Sequence, residues 1–180
     1  MYPIIPTLLL SLCLSACTAA RKPDTALDTL LDTVERRLAL ANGVALLKWD
    51  QNMPVQAVAR ERQILDRVAE AAADHQLEPR RATGFFADQI EASKLVQYAL
   101  LNRWQLKQQA PDTPRLDLKT ALRPQLDALQ HQLLSDLQRF ERERPDDCAR
   151  ALANAIAERA RDPLHELALQ RATGRICDAL

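Results

Sequence analysis

Apolar residues recur every three or four positions along most of the chain after residue 24, which is the spacing of one face of an α-helix. The first such stripe has these members: Leu27, Leu30, Leu31, Val34, Leu38, Ala41, Ala45 and Leu47. Asp24 and Thr25 precede the stripe and can cap a helix, whereas the Asn-Met-Pro sequence at residues 52–54 interrupts it. The pattern therefore predicts a first helix that runs to about Trp49.

Five further helices are predicted by the same criterion. Prolines and turn residues bound them, and Gln109–Leu116, which contains two prolines, is predicted to be a loop. The predicted helices span about Val55–His75, Pro79–Lys107, Leu118–Glu143, a short segment that begins after Pro145, and a segment that begins at Pro163 and ends near Cys177. The sequence therefore predicts an all-α fold of about six helices.

Composition supports a helical domain and excludes several classes of function. The chain has 180 residues, of which 47% are hydrophobic, 27% are charged and 4% are aromatic. Only three glycines occur, far apart from one another, so a glycine-rich phosphate loop is excluded and a β-sandwich or barrel is disfavoured. Because 24 Lys and Arg balance 24 Asp and Glu, the chain is not expected to bind nucleic acid. The length fits one domain.

The first twenty residues have the features of an export signal. They contain no Lys, Arg, Asp or Glu, and their apolar stretch from Ile4 to Leu14 is too short to span a membrane. We therefore expect a signal peptide at residues 1–20 and a single domain at residues 21–180. The sequence from Leu14 to Cys17 resembles a bacterial lipobox, in which Cys17 would be acylated; cleavage near Ala20 is the alternative. Either route predicts an exported, periplasmic protein, with a lipid anchor in the first case.

Export changes the interpretation of the cysteines that remain in the mature chain. Cys148 and Cys177 would reach an oxidising compartment, where a disulfide between them is expected. Two buried free thiols are the alternative. No Cys-x-x-Cys motif occurs and the three histidines are widely separated, so no metal site is predicted.

Several polar residues lie on predicted helices at spacings that suggest a binding site. Arg37 and Lys48 differ by eleven positions, which places them about 20° apart around a helix axis at about 100° per residue. Two cations on one largely apolar face can bind an anion, although solvated surface charges are the alternative. The second predicted helix carries Arg60 and Glu61, and the third carries Ser93 and Gln97. No nucleophile paired with a base and no carboxylate dyad emerges.

These residues lie in segments that resemble the all-helical, AroQ-type chorismate mutases. The resemblance is carried by Val34–Leu40, Val44–Trp49, Pro54–Val55, Arg60–Arg62 and Phe85–Tyr98. With its export signal, longer helical C-terminal half and cysteine pair, the chain looks like the secreted subclass of that family. The resemblance extends over about residues 24–180 and is weaker in the later half.

The resemblance implies a cofactor-free [3,3] rearrangement of chorismate to prephenate. Negative charge develops on the ether oxygen of this dicarboxylate as its C–O bond breaks, so fixed donors near that oxygen lower the barrier. By resemblance, Lys48 and Gln97 donate to the ether oxygen, and Glu61 accepts from the ring hydroxyl. The expected carboxylate-binding residues are Arg37, Arg60 and Ser93.

Two positions depart from the family pattern. Gln132 stands where the secreted subclass usually has an arginine on the fourth helix, so its amide would bind a carboxylate without a charge. Arg139, Arg36 and Arg123 are alternative sources of that charge. Ala57 replaces an aspartate of several relatives.

The resemblance also implies a homodimer in which each longer chain completes its own site. The rival hypothesis is an exported helical binding or scaffold lipoprotein of mutase ancestry that has lost the reaction. Gln132 favours this rival, whereas the joint presence of the other six site residues opposes it.

Overall fold

The computed structural model describes residues 25–178, which form helices and connecting turns without strands. The predicted signal segment, including Cys17, lies outside these residues, as does Asp24. The helices are α1 (Ala26–Gln51), α2 (Val58–Ala72), α3 (Pro79–Lys107), α4 (Arg123–Arg142), α5 (Cys148–Arg159) and α6 (Pro163–Ala172). Across this part of the chain, no helix is long and apolar enough to cross a membrane. The predicted all-α fold of six helices is confirmed.

Local signals account for the helix boundaries that were predicted well. Thr25 begins α1 with a capping box: its hydroxyl accepts the Asp28 N–H at 3.1 Å, and the Asp28 carboxylate accepts the Thr25 N–H at 3.3 Å. Pro79 occupies the first position of α3, where a missing N–H costs nothing, and Glu78 caps that helix through the Arg81 N–H. Both helices therefore begin where their sequence signals place them.

Three boundaries differ from the predictions. The second helix begins at Val58, three residues later than predicted, because the chain stays non-helical after Pro54. The predicted fourth helix is divided. A π-helical turn at Leu118–Leu122, which the apolar spacing does not reveal, precedes α4. The sixth ends at Ala172 and not near Cys177, and irregular turns cover the four positions between Ala172 and that cysteine.

Helix α1 lies at the centre of the fold, packed against α3 and α4. It runs antiparallel to α4, because Thr33 meets Asp136 while Gly43, ten residues later, meets Leu122. A Cβ built on Gly43 would lie 3.1 Å from Leu122 Cδ2, so a glycine here lets the two helices approach closely. The main core consists largely of Leu, Val, Phe and Ala side chains from all six helices.

The C-terminal helices are fastened to this core by covalent and ionic links. The predicted disulfide is confirmed: Cys148 and Cys177 have an S–S distance of 2.02 Å and a Cα–Cα distance of 5.6 Å. The buried carboxylate of Asp88 on α3 pairs with Arg171 and with Arg175, whose Nη2 lies 2.8 Å from Asp88 Oδ1. The disulfide ties the turns after α6 to the start of α5, and the Asp88 pairs hold α6 and those turns against α3.

Candidate active site

Arg37 is a buried cation with little internal compensation. Only 7% of the residue is exposed, and its guanidinium donates a single hydrogen bond, from Nη1 to the Gln89 carbonyl at 3.3 Å. Within residues 25–178 its Nε has no partner. Burial lowers the pKa of Arg37 to about 10, so it stays protonated at neutral pH. A buried donor without a partner costs about 1–3 kcal/mol, so this side chain is suited to receive an anionic ligand.

Lys48 lies three helical turns beyond Arg37, near the end of α1. Its half-buried ammonium donates to the Val55 carbonyl at 2.6 Å, and two of its three protons remain for other acceptors. Burial lowers the pKa of Lys48; Glu61 opposes that effect and Lys94 adds to it. The non-helical segment after Pro54 brings the Val55 carbonyl to this lysine.

Glu61 stands in the first turn of α2, with both carboxylate oxygens engaged. Oε1 accepts the Ala57 N–H at 2.9 Å and thereby caps a helix whose N-terminal residue offers no side-chain cap. Oε2 lies 3.1 Å from the ammonium of Lys94 on α3. Burial raises the pKa of Glu61, but these two hydrogen bonds outweigh it and hold the pKa below its ordinary value. Glu61 is therefore an anion over the whole neutral range.

Three polar residues form a stripe at four-residue spacing along the buried face of α3: Gln89, Ser93 and Gln97. The Gln97 amide, 4% exposed, donates from Nε2 to Ser93 Oγ at 3.0 Å, and its buried Oε1 has no partner among residues 25–178. Gln89 Nε2 donates to the Ala172 carbonyl at 2.8 Å, which links this stripe to α6. One N–H of Gln97 remains for a further acceptor.

Arg60 is turned toward α4. Its Nη1 donates to Gln63 Oε1 at 2.7 Å, and its Nη2 lies 3.8 Å from Asp127 Oδ1. Arg67 shares the same carboxylate at 3.7 Å. Burial lowers the pKa of Arg60, and the neighbouring Arg67 adds to the shift, whereas Asp127 opposes it. About one third of the Arg60 side chain is exposed, so it can change partners without unpacking the core.

Gln132 belongs to a hydrogen-bonded group that joins α4 to α1. Its Nε2 donates to Asp136 Oδ1 at 2.8 Å, and the other oxygen of Asp136 accepts the Thr33 hydroxyl at 2.7 Å. Because α1 and α4 are antiparallel, Gln132 lies about one turn from Asp136 toward the level of Arg37. The buried carboxylate thus fixes the orientation of the Gln132 amide.

The three arginines that could replace a positive charge at position 132 do not lie beside Gln132. Arg139 pairs with Glu143 at 3.1 Å on the outer face of α4, and Arg36 is exposed on α1. Arg123 lies close enough to Arg60 to lower the pKa of Arg60, although its effect is smaller than that of burial. Of the three, only Arg123 is associated with a candidate site residue.

The arrangement concentrates positive charge and hydrogen-bond donors between α1 and the helices around it. Arg37 and Lys48 are separated by about 16 Å along α1, and the Ser93–Gln97 pair on α3 lies between their levels, since α3 runs parallel to α1. Such a surface is suited to a small anion with two negative groups and a polar centre. No three His, Cys, Asp or Glu side chains of residues 25–178 lie close enough together to hold a metal ion.

Several neighbours of the site were not identified from the sequence: Lys94, Asp127, Asp136, Thr33 and Gln89. A signal for two of them was available, because Gln89 continues the Ser93–Gln97 stripe and Thr33 precedes Arg37 by one turn. Lys94 and the two aspartates carried no such signal, since their roles depend on which helix packs beside them.

Comparisons with known proteins identify the family. The family described as chorismate mutase type II matches residues 24–98, which include all of the candidate residues on α1, α2 and α3. The secreted chorismate mutase of Mycobacterium tuberculosis is 30% identical over 151 residues, covering 80% of this chain and 74% of that protein. The chain belongs to the chorismate mutase family. The predicted family is thereby confirmed.

Solved structures of other members extend the match to the C-terminal half. Chorismate mutase from Burkholderia phymatum has a TM-score of 0.82 and 40% identity, covering 86% of this chain and 97% of that one. The secreted chorismate mutase from Yersinia pestis shares the fold at 17% identity, with a TM-score of 0.71. The chorismate mutase fold thus includes α4, α5 and α6, beyond the segment that the family pattern matches.

Proposed function

We propose that this chorismate mutase rearranges chorismate to prephenate in the space between α1, α2, α3 and α4. The observation that carries the proposal is the hydrogen-bonding capacity that remains on two parallel helices: the buried Arg37 Nε has no partner among residues 25–178, and Lys48 and Gln97 each retain N–H groups beyond the one bond they donate. A scaffold protein gains nothing from a buried donor without a partner, such as Arg37 Nε, because it destabilises the fold. A dicarboxylate substrate supplies the acceptors that the folded chain lacks.

Carboxylate binding is assigned to the arginines and the neighbouring polar groups. Arg37 can accept a carboxylate on the edge that carries its unpartnered Nε, where a planar guanidinium suits two oxygens. Arg60 would exchange its 3.8 Å contact with Asp127 for a second carboxylate. Ser93 and Gln132 add neutral donors, which hold the substrate without strong charge. Two fixed carboxylates favour the chair-like conformer in which the reacting carbons meet.

Stabilisation of the negative charge that develops on the ether oxygen is assigned to Lys48 and Gln97. As the ether C–O bond breaks and the new C–C bond forms, electron density accumulates on the ether oxygen, and N–H groups already fixed in place stabilise it without reorganising. Lys48 supplies a charged donor and Gln97 a neutral one. Glu61 accepts the ring hydroxyl through the acceptor capacity that its two existing hydrogen bonds leave.

The experiment is a steady-state assay of the purified, oxidised protein with chorismate. Loss of chorismate absorbance is followed, and prephenate is confirmed by acid conversion to phenylpyruvate. Lys48→Met removes the charged donor while keeping the length of the side chain. Lys107→Met, at the exposed end of α3, makes the same change away from the site and serves as the control.

The two variants separate the proposal from its rival. Turnover that persists in Lys107→Met and collapses in Lys48→Met supports both the reaction and the electrostatic mechanism. Absence of turnover in the folded parent protein would contradict the proposal and favour a binding protein of mutase ancestry.

Export is supported by the relatives, two of which are named secreted chorismate mutases. We propose a periplasmic location with acylation at Cys17, which lies outside the described residues. Mass spectrometry of the N-terminal peptide from cells distinguishes the two routes. A lipid-modified Cys17 is expected, and a mature chain that begins near residue 21 would contradict acylation.

We also propose that the protein is a homodimer in which each chain completes its own site. Apolar side chains at the α1–α2 connection support a contact surface, since Met53 is 42% exposed and Val58 is 55% exposed. Sedimentation equilibrium should give twice the mass of one chain. A monomer that retains full activity would exclude the dimer while leaving the proposed site intact.

A further inference from the structure

Lys94 was not among the predicted site residues, yet it contacts one of them directly. Its ammonium lies 3.1 Å from Glu61 Oε2 and 2.6 Å from Glu91 Oε1. Only 13% of the Lys94 side chain and 21% of the Glu61 side chain are exposed. These contacts join the beginning of α2 to the middle of α3. Lys94 is therefore fixed at two carboxylates and cannot move freely as a surface lysine does.

Glu61 has two lysines within its electrostatic reach but pairs with only one. Burial is the largest influence on the pKa of Lys48, and Glu61 raises that pKa against the effect of burial. The carboxylate is therefore close enough to act on Lys48. Even so, the ion pair is made with Lys94, while Lys48 donates to the neutral carbonyl of Val55 at 2.6 Å. Within residues 25–178, no carboxylate lies within 4.0 Å of the Lys48 ammonium.

The pairing of Glu61 with Lys94 and not with Lys48 matters, because an ammonium paired with a carboxylate is a poor donor to a substrate. If Glu61 moved to Lys48, the carboxylate would offset the positive charge of the ammonium. It would also accept hydrogen bonds from the N–H groups that are otherwise available to the substrate. The Ala57 N–H would not prevent this, because it holds only Oε1. The contact that holds Oε2 is the one with Lys94.

We propose that Lys94 is a positioning residue that keeps Glu61 away from Lys48, so that the Lys48 ammonium remains available to the ether oxygen of the substrate. The inference rests on the proposed function and adds a residue to it. Lys94 acts through Glu61 and makes no contact with the reacting atoms. The proposal accounts for a lysine bound by two carboxylates inside a site that binds a dianion.

A double-mutant cycle with matched variants tests this role. Lys94→Gln removes the competing charge, and Glu61→Gln removes the carboxylate while its amide oxygen can still accept the Ala57 N–H. Lys94→Arg keeps the charge, and Lys107→Gln is the control for loss of an exposed lysine. Circular dichroism and thermal unfolding establish that each variant is folded.

The expected kinetic result is that loss of Lys94 lowers kcat only while residue 61 is a carboxylate. Lys94→Gln should lower kcat by about tenfold or more with KM changed less than about threefold, because a donor to the ether oxygen is lost. Lys94→Arg should keep most of the activity. Glu61→Gln also loses the proposed acceptor of the ring hydroxyl, so it is the reference for the double variant. Adding Lys94→Gln to Glu61→Gln should change kcat by less than about twofold, because no carboxylate then remains to capture Lys48. A loss of about tenfold or more when Lys94→Gln is added to Glu61→Gln would overturn the proposal, since it would mean that Lys94 acts on the substrate or the fold.

A second readout does not depend on turnover. The pKa of Lys48, followed by NMR of its side chain without substrate, should rise in Lys94→Gln and fall again in the double variant. An unchanged pKa of Lys48 in Lys94→Gln would also overturn the proposal. If the parent protein fails to convert chorismate, the proposed function fails, whereas this titration still reports whether the two lysines compete for Glu61.

Discussion

Two regions of this protein bury arginine side chains in opposite ways. In the candidate site, Arg37 makes one hydrogen bond of 3.3 Å to a carbonyl, and its Nε has no partner among residues 25–178. At the junction of α1 with α5, Arg159 lies 3.0 Å from Asp28, 3.2 Å from Asp32 and 3.6 Å from Glu35. Arg37 belongs to α1 and Arg159 contacts α1 from α5, but of the two only Arg159 pairs with carboxylates among residues 25–178.

The carboxylates of the two regions differ in the same way. Asp88, at the junction of α3 with α6, is held by the guanidinium groups of Arg171 and Arg175. Asp136, beside the site, is held by a hydroxyl and by the Gln132 amide, without a cation within 4.0 Å in the described part of the chain. Buried charges are normally paired, and exceptions call for an explanation. The comparison indicates that the junctions are built for stability and the site for a ligand.

The largest effect is expected at Lys48, whose ammonium is proposed to donate to the ether oxygen of the substrate. Lys48→Met should reduce kcat by about 10²–10³-fold, as loss of one preorganised donor does elsewhere. Thermal unfolding should change little, because Lys48 makes one hydrogen bond to a loop carbonyl. Measured kcat and melting temperature together check this. A large loss of stability with a modest loss of rate would mean that Lys48 stabilises the fold, as the charged residues at the helix junctions do.

Removal of the disulfide should have the opposite effect: a loss of stability with little change in kcat. Replacing Cys148 and Cys177 by serine opens a link between residues 29 positions apart, which lowers the free energy of unfolding by roughly 3–4 kcal/mol in the chain-entropy model. Below its melting temperature the variant should keep kcat within about twofold, since Asp88 still fastens the C-terminal turns to α3. Urea unfolding and the chorismate assay measure the two quantities. Loss of activity in the folded variant would contradict the separation of the regions.

Gln97→Glu should introduce a pH dependence that the natural protein lacks. The natural rate should be flat over roughly pH 5–8, because Gln97 donates at any pH, the pKa of Arg37 is about 10, and Glu61 is ionised throughout. A glutamate donates only when protonated, so the variant should lose about tenfold in rate for each pH unit above the pKa of its new carboxyl group. Identical pH profiles for the two proteins would count against Gln97 as a donor to the substrate.

The smallest effect is expected at Gln132 on α4, which stands where the secreted subclass usually has an arginine. Gln132→Arg should lower KM for chorismate by about three- to tenfold, because a charge-assisted hydrogen bond replaces a neutral one. The effect is limited because Asp136, which now accepts from Gln132, also attracts the new guanidinium. Gln125→Arg, on the exposed surface of the same helix, is the control. Equal KM values in both variants would place position 132 outside the substrate site.

The sequence predicted the helices well because their boundaries are local. Thr25, Asn52 and Pro79 act within one turn of the chain, whereas the segment before α2 is held by a contact between Val55 and Lys48 of α1. The candidate residues on α1 emerged from spacing and resemblance together. Lys94 did not, because a lysine in a charged stretch of helix looks solvated until α2 is packed beside it. Tertiary contacts, not propensity, decide which charges are paired.

The most direct test of the account compares Arg37→Gln with Arg159→Gln. Each variant removes one buried or half-buried guanidinium charge next to α1, so any general effect of charge on folding applies to both. The account predicts that kcat/KM for chorismate falls by at least about 100-fold in Arg37→Gln, since a carboxylate loses a charge-assisted pair of hydrogen bonds. In Arg159→Gln it should stay within about twofold while the free energy of unfolding decreases. Equal losses of kcat/KM in the two folded variants would contradict the claim that the unpaired charges form the active site.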